Sequence, residues 1–239
     1  MKDLKAIRGE RFLTRAIAEG EHERQDFKFA ISDARKIARS LSAFANHSGG
    51  ALLIGVKDNG VIAGVRNEED IYVIEQAAQL YCRPEQSLTF TAYRTTDGAI
   101  VIRAEIRPSD VRPVMACDTD GQWKAYYRVA DENILATPLM VRAWRRRNDS
   151  TPLTLSMGSA EETLLASIRA EGHTDITTVM QHARLSRRTA EEMVARLYAL
   201  GVIDFAFINR EFRIVMADPP RIINSDYNGS LSHLKNTRF

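Results

Sequence analysis

The sequence predicts an α+β protein of two domains, the first built on a mixed or antiparallel sheet with flanking helices. Apolar or alternating runs typical of strands are interspersed with runs of helical apolar spacing through residues 1–147. The composition then becomes polar, with Ser and Pro, over residues 148–159, as in a linker. With 239 residues, 44% of them hydrophobic, the chain is long enough for a core in each domain.

Composition narrows the class of protein before any motif is considered. No apolar run reaches the roughly 20 residues of a membrane span, so no membrane partner is expected, and the charged N-terminus is unlike a secretory signal. The two cysteines do not make a disulfide framework, so a cytoplasmic location is expected. A net charge of +2 is too small to indicate a partner, and a nucleic-acid site must come from local clusters.

The first part of this domain predicts a helix, a strand, a second helix and a central strand. The first helix covers residues 9–19, and the alternating segment EHERQDFKF then predicts a strand with one face in solvent. Ser32 or Asp33 caps the second helix, which has a continuous apolar stripe. The uninterrupted apolar run ALLIGV is typical of a strand covered on both faces.

The rest of the domain begins with a strong turn signal, Asp58-Asn59-Gly60, after which residues 61–65 are expected to return as a hairpin partner. A helix is predicted from Asn67 to about Cys82, and another over residues 134–147 closes the domain. Between these helices, three strands are predicted in the segments LTFTAY, AIVIRAEI and WKAYYRV.

Residues 160–218 predict three helices followed by a hairpin, which is the element order of a winged helix. Ser159 and Glu162 have the spacing of a capping box for the first helix. The second and third helices are expected at about 176–183 and 187–200, and the strands VIDFAF and EFRIVM flank the hairpin turn. Residues 219–239 are polar and are expected to form a loose tail.

Gly49 and Gly50 lie between a predicted helix and a strand, where a phosphate-binding loop has to be considered. A Walker loop needs a strand, then Gly-x-x-x-x-Gly-Lys-Ser/Thr, then a helix. Here the order is inverted and no Lys-Ser or Lys-Thr follows, so a structural joint is favoured, with Gly49 ending the helix in the left-handed conformation. ATP binding is kept only as a third, disfavoured function.

Several spaced blocks of the first domain occur in a familiar order. They are Gly20 to Lys28, Ala43-Phe44-Ala45-Asn46 with Gly49-Gly50, Ile54-Gly55-Val56 with Asp58 and Gly60, and Tyr127-Arg128-Val129. Over about residues 10–145 they resemble the Schlafen-type AlbA-like family, with departures at Asp26, where Glu is usual, and Ala130, where Gly is usual. The resemblance implies DNA binding, since bacterial members are described as DNA-binding domains joined to helix-turn-helix regions; others are labelled ATP-binding or divergent AAA proteins.

Carboxylates in the first domain support an enzymatic alternative, a metal-dependent endonuclease acting on RNA or DNA, as animal relatives of the resembled family include RNA endonucleases. Such cleavage needs convergent carboxylates for divalent cations and often a lysine. By motif position, Glu21, Asp26 and Asp58 resemble the acidic residues of the nuclease members, which implies Mg²⁺ or Mn²⁺ as cofactor, and Lys28 shares the strand face of Asp26. In the structural alternative, Asp26 and Lys28 form a solvated strand face and Asp58 is only a turn residue.

Basic residues of the second domain predict its contact with DNA. In a winged helix the third helix enters the major groove N-terminus first, and here that end contains Arg184, Ser186, Arg187, Arg188 and Thr189. Arg210 and Arg213 are expected on or near the wing. Residues 160–218 contain seven Arg, no Lys and nine Asp or Glu, a net charge of −2, so a protein-interaction role stays open.

A further basic cluster ends the first domain, where Arg142, Arg145 and Arg146 share one side of a helix. It is either a patch for backbone phosphates or a solvated helix end stabilised by the helix dipole, while Trp144 is expected to pack on the domain. The favoured function is that of a bacterial-type transcriptional regulator that binds nucleic acid, DNA or RNA. The first domain is expected to assist binding, to form a homo-oligomer, or both.

Overall fold

The computed structural model describes residues 4–31, 33–65, 69–154 and 157–217. The chain divides into two units, Met1–Asp149 and Ser150–Phe239, and the division falls inside the segment predicted as a linker. The predicted tail, residues 219–239, lies outside the described residues. Within the described ranges, no helix is long and apolar enough to cross a membrane.

The described residues of the first unit form four helices and two sheets. The helices are α1 (Glu10–Glu19), α2 (Ala34–Ala45), α3 (Glu69–Leu80) and α4 (Pro138–Asn148). The first sheet contains β1 (Ile7–Arg8), β2 (Gln25–Lys28), β3 (Gly50–Ile54), β5 (Leu88–Arg94) and β6 (Ile100–Ile106). The second sheet contains β4 (Cys82–Arg83), β7 (Met115–Cys117), β8 (Trp123–Val129) and β9 (Glu132–Leu135), in that order.

The first sheet has the strand order β1-β5-β6-β3-β2. Strands β5, β6 and β3 are antiparallel, while β1 and β2 are added to the two edges in parallel. This mixed sheet with flanking helices confirms the predicted α+β class. Three of the predicted strands, LTFTAY, AIVIRAEI and WKAYYRV, correspond to β5, β6 and β8.

Helix α2 lies at the centre of the unit, where it packs between the two sheets. It is capped by Asp33, whose carboxylate accepts a hydrogen bond from the Arg35 backbone N–H at 2.9 Å. Ser32, the other predicted cap, and Asn67, the predicted start of α3, lie outside the described residues. The apolar stripe of α2 shares one core with β3, β6, α3 and β8, and α1 covers the opposite face of the first sheet.

Asn46 follows the last residue of α2 and joins this helix to the second sheet. Its buried side chain donates from Nδ2 to the carbonyls of Val114 (2.8 Å) and Tyr126 (2.9 Å), and Oδ1 accepts from the Val114 N–H (2.7 Å). Ser42, one turn earlier, donates to the same Val114 carbonyl at 2.7 Å and accepts from the Tyr126 N–H at 3.1 Å. The Ala-Phe-Ala-Asn block therefore stabilises the contact between helix and sheet.

Two predicted elements of the first unit were wrong. Residues 61–65 do not form a hairpin strand, and Val56 and Ile62 share only a single bridge. Both edges of β3 are already paired, with β2 and with β6, so no edge is left for a hairpin partner. The helix predicted from residue 134 begins at Pro138, after Thr137 caps it by accepting from the Met140 N–H at 3.2 Å.

The described residues of the second unit form three helices followed by a two-stranded hairpin. They are α5 (Ser159–Glu171), α6 (Ile176–Ala183), α7 (Arg187–Ala199), β10 (Ile203–Ile208) and β11 (Glu211–Met216). Thr174 adds a single bridge to Ile214 of the hairpin. The predicted Ser159–Glu162 capping box was wrong by one residue. Gly158 donates its N–H to Glu161 at 3.1 Å, and Glu161 also pairs with Arg196 of α7.

Candidate functional site

Asp26, one of the predicted catalytic residues, lies in β2 with its side chain turned towards α2 and β8. Its carboxylate is 2.7 Å from Lys28 Nζ through Oδ2, and Ser40 of α2 lies at 3.4 Å from the same oxygen. Asp26 is only 4% exposed. The predicted solvated strand face was therefore wrong, because α2 and the second sheet cover it.

Arg128 of β8 completes the cluster around Asp26 and is only 1% exposed. Its guanidinium is 3.4 Å from Asp26 Oδ1, and it donates to Asn133 Oδ1 at 2.9 Å and to the Gln25 carbonyl at 3.2 Å. It also lies 5.0 Å from the centre of the Phe44 ring. In the sequence Arg128 stands out only as part of the Tyr127-Arg128-Val129 block, although its place two residues after Tyr126 in a strand with buried positions was a signal that its guanidinium is covered.

Glu21 and Asp26 form a hydrogen-bonded pair of carboxyl groups. Glu21 Oε1 also accepts the Phe27 backbone N–H at 2.8 Å. Burial and then the hydrogen bond with Asp26 raise the pKa of Glu21. Burial acts to raise the pKa of Asp26 too, but the hydrogen bond with Glu21 and the charges of Lys28 and Arg128 lower it overall. Of the two carboxyl groups, Glu21 therefore keeps its proton to the higher pH.

Asp58, the third acidic residue of the predicted metal site, differs from Asp26 in its surroundings. It is exposed in the turn after Val56, where Gly60 donates its N–H to the Lys57 carbonyl at 2.8 Å. Among the described residues, no three His, Cys, Asp or Glu side chains are placed to hold a metal ion. The geometry therefore does not fit Mg²⁺ or Mn²⁺ at Glu21, Asp26 and Asp58.

Gly49 and Gly50 form the joint between α2 and β3 through close packing. Gly49 has a φ of 71°, and a Cβ there would lie 2.7 Å from the Ile106 carbonyl oxygen. At Gly50 a Cβ would lie 2.5 Å from the Phe44 ring. The Gly49 N–H already donates to the Phe44 carbonyl at 2.9 Å, so it is not free to bind a phosphate. This joint does not support ATP binding.

The start of α7 brings the first set of predicted DNA-contacting residues together on the second unit. Ser186 caps the helix by accepting from the Thr189 N–H at 3.3 Å, and the two hydroxyls are 2.8 Å apart. Arg184, Arg187 and Arg188 are exposed around this turn, and Arg187 pairs with Glu191 at 2.8 Å. The opposite face of α7 is buried, so these arginines are directed to solvent.

The predicted wing residues differ from each other in their surroundings. Arg213 is largely buried and pairs with Asp175 at 2.8 Å and with Glu211 at 2.6 Å, so its guanidinium joins the hairpin to the start of α6. Arg210 is exposed in the hairpin turn and has a φ of 65°, and Asn209 before it has a φ of 52°. Of the two predicted wing residues, only Arg210 therefore has an exposed side chain.

The basic cluster on α4 is anchored by Trp144, which is 2% exposed and lies 6.2 Å from the Tyr127 ring, as the predicted packing required. Arg142 and Arg145 are exposed, whereas Arg146 is largely buried and lies 3.4 Å from Asp149. Two of the three predicted arginines are therefore directed to solvent.

Comparison with known proteins finds a family match within the first unit. Residues 21–137 match the family model described as Schlafen, AlbA_2. No match was found among curated proteins. Among solved structures, the DIP2311 protein from Corynebacterium diphtheriae is similar at 20% identity with a TM-score of 0.41, covering 80% of this chain and 34% of that one. This chain thus spans about a third of the length of that protein. Over residues 21–137 the chain is therefore similar to the family described as Schlafen, AlbA_2.

Proposed function

We propose that this protein is a DNA-binding regulator of transcription, in which α7 of the second unit is the recognition helix of a winged helix. The Schlafen, AlbA_2 family is associated with nucleic-acid binding. The order of three helices and a hairpin in the second unit supports a winged helix, and Thr174 adds a single bridge to Ile214 of the hairpin.

The observation that carries the proposal is the cluster of exposed arginines at the start of α7. Positive side chains at a helix N-terminus are unfavourable next to the helix dipole, and they are stabilised when phosphates or guanine edges lie nearby. Arg184, Arg187 and Arg188 occupy such a position. The net charge of −2 over residues 160–218 means that attraction to DNA must come from this local cluster.

The experiment compares binding of the full chain to duplex DNA enriched from a randomised library. Arg187→Ala with Arg188→Ala is expected to weaken binding at least about tenfold and to reduce the slope of log K against log salt by about 0.9 per lost phosphate contact. Arg169→Ala, at an exposed site near the end of α5, is the control for the single variant Arg188→Ala, which removes the same charge, and it is expected to bind as the wild type does.

Two outcomes would count against recognition by α7. In the first, the double variant binds duplex DNA as tightly as the wild type does. In the second, Arg169→Ala weakens binding as much as a single change at Arg188, which would indicate a general charge effect. Circular dichroism checks that each variant stays folded. This is expected, because all three arginines are exposed and their loss leaves the core intact.

A further inference from the structure

We propose that the first unit has its own binding site for single-stranded nucleic acid, in a cleft of about 360 Å³ between α1 and the open part of the first sheet. The name "α1 cleft" is used below for this cavity, whose side chains come from α1, β6, the segment before β2 and the loop before β3. The site is separate from α7 and from the Glu21–Asp26 pair, and it does not depend on the winged helix.

The fold forms the α1 cleft because α1 covers only part of the sheet face. Leu13 and Ala16 of α1 pack on Phe27, Leu53 and Val101 in a small core. One stripe of α1, at residues 12, 15, 16 and 19, borders the cleft, as the i, i+3, i+4, i+7 spacing of one helix face requires. On β6 and just beyond it, residues 103, 105 and 107 alternate with buried positions and form the facing wall.

Charge makes the α1 cleft suitable for phosphates. Four arginines, at 15, 24, 103 and 107, line it together with two glutamates, so the lining carries a net charge of +2. Arg15 pairs with Glu19 at 3.3 Å, and Arg103 pairs with Glu105. Among the described residues, neither Arg24 nor Arg107 has a hydrogen-bonding or ion-pair partner for its guanidinium, and both are exposed. These two are available to bind backbone phosphates.

An exposed aromatic ring at the edge of the cleft makes single strands the better fit. Phe12 is 39% exposed, its ring is stacked on Tyr93 at 4.5 Å, and the Arg103 guanidinium lies 6.0 Å from its centre. An exposed ring held rigidly beside arginines is the arrangement on which unpaired bases stack. In a duplex the bases are already stacked on each other and cannot stack on the Phe12 ring. A duplex would therefore interact only with the arginines of the cleft.

The test measures binding of the full chain to fluorescein-labelled oligothymidine of about 12 nucleotides by anisotropy at several salt concentrations. Arg24→Ala with Arg107→Ala is expected to weaken binding at least about tenfold and to reduce the slope of log K against log salt by about 1.4, or about 0.7 per phosphate. The control carries Arg11→Ala with Arg94→Ala, which removes the same charge from exposed positions of this unit outside the cleft, and it is expected to bind as the wild type does.

The stacking step has its own pair of variants. Phe12→Leu keeps an apolar side chain against Tyr93 but removes the ring, and it is expected to weaken binding by about five- to 150-fold without changing the salt slope. Phe12→Tyr keeps the ring and is expected to retain binding. The urea midpoint of each variant, followed by tryptophan fluorescence, reports whether the first unit stays folded.

The outcomes separate this proposal from the one on α7. Arg187→Ala with Arg188→Ala is expected to leave oligothymidine binding unchanged, even if that variant loses duplex DNA. Equal losses in the α1-cleft variant and in its Arg11 and Arg94 control would overturn the proposal, since the effect would then be one of total charge. Tight binding by Phe12→Leu would also overturn it, because stacking would play no part.

Discussion

Replacing Arg128 with methionine is expected to destabilise the first unit by about 3–5 kcal/mol. Methionine has a similar length but no donors, so the buried carboxylate of Asp26 loses the cation 3.4 Å away. The Asn133 side chain and the Gln25 carbonyl lose their donors at 2.9 and 3.2 Å. Removing one partner of a buried ion pair costs about 3–5 kcal/mol, because the other charge stays buried, and here Asp26 keeps only the partly exposed Lys28 at 2.7 Å.

Urea unfolding followed by tryptophan fluorescence measures this loss in the first unit alone. The chain has two tryptophans, Trp123 and Trp144, and both belong to that unit. With a slope of about 2 kcal/mol per molar urea, the midpoint is expected to fall by about 1.5–2.5 M. Arg145→Met, at an exposed arginine of α4, is the control and is expected to change stability by less than about 0.5 kcal/mol.

A loss below about 1 kcal/mol for Arg128→Met would refute the reasoning. A second variant identifies the source of the cost. If the uncompensated charge dominates, adding Asp26→Asn to Arg128→Met restores part of the stability, whereas no recovery would assign the loss to the hydrogen bonds with Gln25 and Asn133. The difference between single and double variants is the coupling energy of the pair.

Three further predictions concern backbone strain and the carboxyl pair. Ala130 has a φ of 50°, so Ala130→Gly is expected to raise stability by about 0.5–1 kcal/mol in the same urea assay, and a lower midpoint would contradict this. Arg210 has a φ of 65° in the hairpin turn, so Arg210→Gly is expected to raise the melting temperature of the second unit, followed by circular dichroism, while weakening duplex DNA binding. Unchanged DNA binding would remove Arg210 from the proposed interface. Because the pKa of Glu21 is raised, first by burial, its stabilising effect is present at low pH and is lost as pH rises through the folded-state pKa. Glu21→Gln is therefore expected to increase the urea midpoint relative to the wild type more at about pH 8 than at about pH 5, and an equal change at both would exclude this.

The elements that were predicted correctly from the sequence each had a local cause. The cap at Asp33, the apolar stripe of α2 and the uninterrupted run of β3 depend on neighbouring residues. The errors had distant causes. The pairing of β3 with β6 excluded the hairpin at residues 61–65, and the pairing of β9 with β8 displaced the start of α4. The hydrophobic periodicity of a segment does not tell which other strand pairs with the edge of a given strand.

The same distinction applies to the candidate sites. Asp26 and Lys28 were expected to share a strand face, and they lie 2.7 Å apart. Alternation does not tell whether that face is covered, and Arg128, which covers it, comes from far along the chain. The α1 cleft was missed for a related reason, since its arginines are scattered in sequence and only the fold brings them together. The winged-helix assignment, bacterial origin, cytoplasmic location and self-association stay predictions.

The hydrogen bonds of Asn46 determine which substitutions are tolerated at positions 46, 114 and 126. Its side-chain contacts outside its own helix end on backbone atoms, the N–H and carbonyl of Val114 and the carbonyl of Tyr126. Those atoms persist whatever side chain follows them. Mutational tolerance across this contact is therefore one-sided: positions 114 and 126 are limited by the volume of a buried site, whereas position 46 needs an amide of this length. Across this contact Asn46 has no compensating partner substitution, because its partners at Val114 and Tyr126 are backbone atoms; its one side-chain partner, Ser42 Oγ at 3.3 Å, lies on its own helix.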